Sequence, residues 1–301
     1  MAALLLLFVC LILGALVRRF AHPPDGTVRG INWWVLNVAL PALVLELIPK
    51  VALDPQLWFL VVAMWLTFGG AWLLFGLLGP RLGWSRQRTG ALILVCGLGN
   101  TAYMGYPMIA ALRGESGLKL AVVADQLGAS PVLASLAVVV ACVYAGRDVH
   151  PRMIARRILG FPAFIALIVG IVVGRLGGWP PMFDGVFKPI GETLTPLALF
   201  SVGMQFRLRG SRGQWGAAAC GLGWKLVAAP ALCWALAAAT GVGGPVMMAG
   251  VLQAAMAPMV SATILADEYR LDPELANTVL GVGIVLSLLT VPLANHWLPG
   301  G

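Results

Sequence analysis

The stretch GALILVCGLGNTAYMGYPMIAAL, Gly90 to Leu112, is long and apolar enough to enter a bilayer, yet its centre holds Gly97, Gly99, Asn100, Thr101, Gly105 and Pro107. A second stretch, GPVMMAGVLQAAMAPMVSATIL, Gly244 to Leu265, carries Gly250, Gln253 and Pro258 in a corresponding place. Proline removes a backbone donor and clashes with the preceding turn. Backbone groups freed at membrane depth survive only where protein or a water-filled cavity satisfies them. Two apolar segments interrupted at matching positions therefore predict two broken helices crossing near the midplane, not two packed kinks.

Working outward, the composition places these segments in a membrane. Of 301 residues, 60% are apolar and 11% charged, where a soluble domain is about a quarter charged; mean hydropathy is +0.91. At roughly 20 apolar residues per crossing, spans are expected near 2–17, 31–48, 57–79, 90–112, 118–145, 158–178, 186–206, 214–239, 244–266 and 275–298. The fold class is thus an all-α integral membrane protein with ten transmembrane helices. Runs such as LAVVVACV and LIVGIVVG lack the alternation a membrane β-barrel requires. No stretch is left for a separate soluble domain, which excludes an enzyme with an extramembrane active site. The opening MAALLLLFVCLILGALVRR has no basic residues ahead of its apolar core and reads as a retained first span, not a signal peptide.

The net charge of +8 follows orientation, and nucleic acid is not an expected partner. Of the 20 Lys and Arg residues, 14 fall in connections 1/2, 3/4, 5/6, 7/8 and 9/10, including Arg18, Arg19, Arg147, Arg157 and the Arg207, Arg209 and Arg212 set. Five fall on the other side (Lys50, Arg113, Lys119, Arg175 and Lys188), and Lys225 lies within span eight. Both termini are expected outside a cell (inner) membrane, with a cytoplasmic linker at 146–157.

The halves repeat. Phe8, Gly14, Arg19 and Pro23-Pro24 line up with Phe164, Gly170, Arg175 and Pro180-Pro181; Pro41 lines up with Pro196, Pro107 with Pro258, and LGASPVL with LGVGIVL. Residues 1–145 and 158–301 then hold five spans each. An odd number inverts the second half, the arrangement that gives secondary transporters two similar states open to opposite sides.

Helix N-termini after Pro107 and Pro258 would favour an anion, with a carboxylate the natural guest. Asn100, Thr101 and Gln253 add neutral donors, and Tyr103, Met104 and Met256 an apolar wall. Lys225 sits mid-span, where a central Lys costs about 2.5 to 3.5 kcal/mol, and so needs a partner: Asp125, Glu192 or Glu46. Asp125 and Glu192 are candidates for binding a coupling proton. A sodium site at such a crossing wants a carboxylate beside the breaks, and neither break has one in sequence. Cys10, Cys96, Cys142, Cys220 and Cys233 show no ligand spacing, and His22, His150 and His296 form no intramembrane cluster. No metal or cofactor is expected, and no nucleophile and base converge to suggest an enzyme.

GNTAYMGYP (Gly99 to Pro107), ADQLG (Ala124 to Gly128), TPLALFSVGM, KLVAAPAL and QAAMAPMVSATILADEYRLDPELANTVLG together resemble the auxin efflux carrier family. That family includes the plant PIN-FORMED carriers and bacterial organic-acid permeases, and is akin in structure to the bile acid:sodium symporters. The resemblance implies a scaffold of helices 1, 2, 6 and 7, a transport domain of helices 3–5 and 8–10, an elevator motion and a homodimer. It matches Asn100, Pro107 and Pro258 to the crossover, Gln126 to a span-five Gln, and Lys225 to a basic position. The chain departs from it at Phe161-Pro162-Ala163, where the plant carriers have Asn-Pro-Asn, and at Asp267 in place of Lys, which argues against indole acetate as substrate. The expectation is a secondary carrier of small organic anions such as carboxylates, with a sodium-coupled symporter of the bile acid type as the alternative.

Overall fold

The computed structural model describes residues 2–52, 54–205 and 213–298. Among them every regular element is helical, and the one isolated β-bridge pairs Gly99 with Pro258 in antiparallel fashion. In chain order the helices are α1 (Ala2–Leu16), α2 (Thr27–Lys50), α3 (Pro55–Arg81), α4 (Arg86–Gly97) and α5 (Thr101–Ala145). There follow α6 (Pro151–Leu159), α7 (Pro162–Arg175), α8 (Pro181–Glu192), α9 (Leu194–Gln205) and α10 (Trp215–Thr240). The last three are α11 (Gly244–Ala254), α12 (Val260–Glu268) and α13 (Pro273–Trp297).

Five of these, α2, α3, α5, α10 and α13, are long and apolar enough to cross a membrane by length and composition, with 24, 27, 45, 26 and 25 residues. The other expected spans differ for local reasons. Gly114, at φ 67 and ψ −162, turns the 45-residue α5 into two arms, so one helical run holds the end of span four and all of span five. Span nine is divided between α11 and α12, and α7 has only 14 residues. The linker expected at 146–157 is itself partly helical, since α6 begins at Pro151.

Capping chemistry sets several ends. The side chains of Ser85 and Asp272 accept from the N–H groups of Arg88 (3.1 Å) and Leu275 (3.2 Å), fixing the starts of α4 and α13. Gly146 and Gly241 end α5 and α10 in the left-handed conformation that costs glycine nothing.

Internal prolines act differently from expectation. Five π-helical turns each end two residues before a proline; Val17–Ala21, before Pro23, closes its helix, while Val35–Ala39, Thr101–Gly105, Ala124–Ala129 and Trp224–Ala228, before Pro41, Pro107, Pro131 and Pro230, lie in helices that continue. Proline lacks an N–H and crowds the carbonyl four residues back, and widening the turn relieves both problems without ending the helix.

The packing is densest within two sets of helices, which meet where α5 touches α1 and α9. α1 lies along α9, and α2 packs against α7 and α8. Separately, α3 packs on α4, α5 and α11, while α4 also meets α12 and α13. Where α1 meets α9, a Cβ on Gly14 would strike the Phe200 carbonyl and one on Gly203 the Leu11 carbonyl, so reciprocal glycines let the backbones touch. At one end of the bundle the loop charges meet: Arg88 pairs with Asp272 (3.0 Å), Arg157 with Glu268 (3.5 Å), and Arg147 covers the Tyr269 ring (5.0 Å). Arg207, Arg209 and Arg212 lie outside the described residues.

Candidate functional site

The two breaks do cross. Asn100 N–H donates to the Ala257 carbonyl (2.7 Å) and Met259 N–H to the Leu98 carbonyl (3.1 Å), so the extended residues of each broken segment satisfy the other. This is how freed backbone survives in an apolar interior. Leu98, Asn100, Ala257 and Met259 are all buried.

The restart points correct one expectation. Helix resumes after Asn100, at Thr101, and not after Pro107; Gly105 and Pro107 lie inside α5. Pro107 is absorbed by the π turn before it, whereas Gly97 and Gly99 leave room at the break for Phe68, and for Lys225 and the Gln253 carbonyl, to come close. Pro258 does lie at its break, and α12 resumes two residues later at Val260. Gly105 serves another purpose: a Cβ there would strike the Gln253 side-chain amide.

Around the crossing the candidate polar groups fall into three sets. Gln253, fully buried on α11, donates from Nε2 to the carbonyls of Thr101 (3.2 Å) and Ala121 (3.2 Å), tying both arms of α5 to α11. Two carbonyl partners fix the amide's orientation and leave its Oε1 unpartnered. Asn100, 2% exposed, spends its backbone on the crossing and leaves Nδ2 buried and unpartnered. Such a donor costs about 1 to 3 kcal/mol; among the described residues Trp224 Nε1 and Thr290 Oγ1 are buried donors of the same kind, and Asn100 Nδ2 is the one carried by a residue of the crossing itself.

Asp125 is the second set. Its carboxylate, in the π turn of the second arm, accepts from the hydroxyls of Thr101 and Tyr106 (2.7 Å to the latter) and from Gln126 Nε2 (2.7 Å). Thr101 is the first residue past the break, so a carboxylate does stand at the crossing, 24 positions away in sequence. The sequence-based objection to a cation there loses its premise. Tyr106 is a member that sequence reasoning missed, since nothing local marks a Tyr before a Pro as a carboxylate partner.

Lys225 is the third. It is fully buried in the π turn of α10, and Nζ donates to the carbonyl of Ala254 (2.9 Å), the last residue of α11. A Cβ on Gly99 would lie 2.9 Å from Nζ, so the ammonium rests against the break itself. Its partner is a helix C-terminus, where a cation meets unpaired carbonyls, and none of the three carboxylates expected. Glu46 faces Lys50 (3.8 Å) on α2, and Glu192 is exposed at the end of α8, away from the crossing. Tyr103 is buried in the first turn of the restart, as are Met104 there and Met256 at the other break.

Two cavities approach this centre from the end bearing Arg18 and Arg157. One, of about 310 Å³, lies between Arg18, α2 and α9 on one side and α12 and α13 on the other, and reaches Val260 and Thr263 at the start of α12. The other, of about 250 Å³, is lined by Arg157, Ser130, Phe161 and Ser261. A crevice of about 20 Å³ shares Ser130, Ala134 and Phe161 with it and continues to Gln126.

Broken helices crossed inside a bundle of membrane-length apolar helices, with buried polar groups at the crossing, define a class: α-helical integral membrane transporters. Residues 1–294 match the membrane transport protein family, and the chain belongs to that family, the auxin efflux carrier family its motifs resemble. It is 24% identical to an uncharacterized transporter of Methanothermobacter thermautotrophicus, covering 95% of this chain and 94% of the relative. It is also 24% identical to an uncharacterized transporter of Methanocaldococcus jannaschii, covering 97% of each. A third relative, provisionally named a malonate transporter, comes from Rhizobium meliloti and is 23% identical over 94% of this chain and 91% of its own.

Proposed function

We propose that the protein is a secondary carrier of small organic anions, carboxylates in particular, and that the substrate carboxylate binds at the crossing. The observation that carries this reading is the buried, unpartnered Asn100 Nδ2, set between Gly99, which rests on the Lys225 ammonium, and Thr101, which is bonded to Asp125. A donor and a positive charge at one depth recognise an anion, and the start of α12 adds helix N–H groups. Thr101, Tyr103, Gln126 and Gln253 build the walls and hold the two breaks in register. The name of the Rhizobium relative supports a carboxylate cargo.

In this reading the chain makes ten crossings in two inverted five-helix repeats, with both ends outside a cell membrane and the Arg147 to Arg157 linker in the cytoplasm. The group built on α1, α2 and α7–α9 is the scaffold, and a second copy of the chain docks on it; α3–α5 and α10–α13 move as an elevator. Asp125 is the coupling residue. Its partners are two hydroxyls and an amide, which can turn to accommodate a proton, whereas sodium needs several oxygen acceptors turned toward it. Glu192, remote and exposed, has no part in it.

Exchange of radiolabelled malonate in proteoliposomes, with malate and aromatic acids as further cargoes, tests the reading. Exchange that proceeds equally without sodium is expected. A panel with no exchanged carboxylate would remove the carrier reading, and strict sodium dependence would replace proton coupling with the bile acid type of symport.

A further inference from the structure

Among the described residues three carboxylate or amine side chains are buried: Glu46, Asp125 and Lys225. Glu46 faces Lys50 on α2, whereas Asp125 and Lys225 form no ion pair among the described residues and contact the two chain neighbours of Asn100, Thr101 and Gly99. The two belong to α5 and α10, in the same packed group, and so travel together.

The partners of Asp125 have a common property. Two are hydroxyls and one is a primary amide, and each is able to donate or accept after a simple rotation. None is an obligate donor such as an ammonium or a backbone N–H. Gln126 also keeps Oε1 buried and unpartnered, an acceptor beside the carboxyl. The cluster therefore holds either form of Asp125: ionised, with three donors turned inward, or protonated, with the new O–H donating to Gln126 after an amide flip.

The surroundings leave Asp125 as the group that changes. Of the helices packed on its π turn, α11 has no titratable side chain, and α3 and α7 each have one, Arg81 and Arg175, in their last turns. The first arm of α5 contributes Tyr103 and Tyr106, and Arg113 at its far end; Cys96 and Cys233 flank Lys225. The crevice lined by Gln126 shares Ser130, Ala134 and Phe161 with the cavity lined by Arg157, so that end is the nearer approach to Asp125.

We propose, resting on the carrier reading above, that Lys225 and Asp125 make both travelling forms of the carrier neutral, so that it moves one monoanion with one proton bound at Asp125. Empty, the moving group carries Lys225 positive and Asp125 negative. Loaded, Asp125 takes a proton from water, and the substrate's negative charge balances Lys225. Release returns the anion and the proton to the opposite side. Charge in a low-dielectric interior is costly, and this cycle exposes no net charge to it in either direction. The cargo class is then a monocarboxylate or the singly protonated form of a dicarboxylate.

The test uses the full-length protein in proteoliposomes with malonate as the probe. An imposed potential of about 100 mV shifts the accumulation of any species carrying one net charge about fiftyfold. Accumulation that follows the pH gradient and shifts less than about twofold with potential is expected, with a lumenal pH dye recording proton entry alongside malonate. Asp125→Asn leaves the empty form positive, so net uptake should acquire dependence on potential and fall relative to exchange, while Asp125→Glu restores the original pattern. Exchange with potential-driven net uptake in the wild type overturns the inference and leaves the carrier reading standing. Absence of exchange with malonate, malate and the aromatic acids alike overturns the carboxylate reading and this inference with it.

Discussion

Replacing Asn100 with alanine separates binding from folding, because the two effects have opposite signs. In the empty protein Asn100 Nδ2 is a buried donor without a partner, and deleting it relieves a penalty of about 1 to 3 kcal/mol. Against this stands the loss of a few packed atoms, of the order of 1 kcal/mol per methylene-sized group. The backbone bonds of Asn100, to Ala257 and from Gly105 and Met104, do not depend on the side chain, and its φ of −76 suits alanine. Thermal stability in detergent should therefore stay level or rise by a few degrees. A hydrogen bond to a charged ligand contributes about 1.5 to 3 kcal/mol, so carboxylate affinity should fall roughly ten- to a hundredfold. Ligand-induced thermal shift and equilibrium binding of radiolabelled malonate read the two quantities on the same preparation. A variant that loses stability by more than about 2 kcal/mol while binding with unchanged affinity would make Asn100 a structural amide and move the site elsewhere.

Other consequences are open to measurement. Lys225→Met should slow transport more than about tenfold, and Lys225→Arg should recover part of the rate if charge is what matters. Gly105→Ala should displace the Gln253 amide and forfeit its two hydrogen bonds, lowering stability by about 1 to 3 kcal/mol, and Gln253→Leu should largely remove that sensitivity. Gly203→Leu should drive α9 away from the Leu11 carbonyl and cost about 1 to 3 kcal/mol or more, seen as a lower melting temperature with no change in substrate preference. Cysteines added at the two termini should react with an impermeant reagent from outside intact cells; labelling only from the cytoplasmic side would reverse the proposed orientation.

Hydropathy and spacing are local properties, and what depends on them was legible in the sequence. The helical membrane class, the interruption of two segments and the presence of a lysine where lysine is costly all follow from runs of neighbouring residues. Proline was legible only in part. Its chemistry announces a disturbed turn, but whether the helix stops or widens depends on what surrounds it, and Pro107, Pro131 and Pro230 sit in continuing helices while Pro258 lies at a break. The contacts that make the site were not legible. Asp125 reaches Thr101 across 24 positions, Lys225 reaches Ala254 across 29, and Gln253 reaches Thr101 across 152. No periodicity in the chain encodes such pairings, because each is decided by which helices pack together and at what depth. The same packing drew Asp125 to the break and left Glu192 on the outside, although in sequence the two carboxylates looked alike.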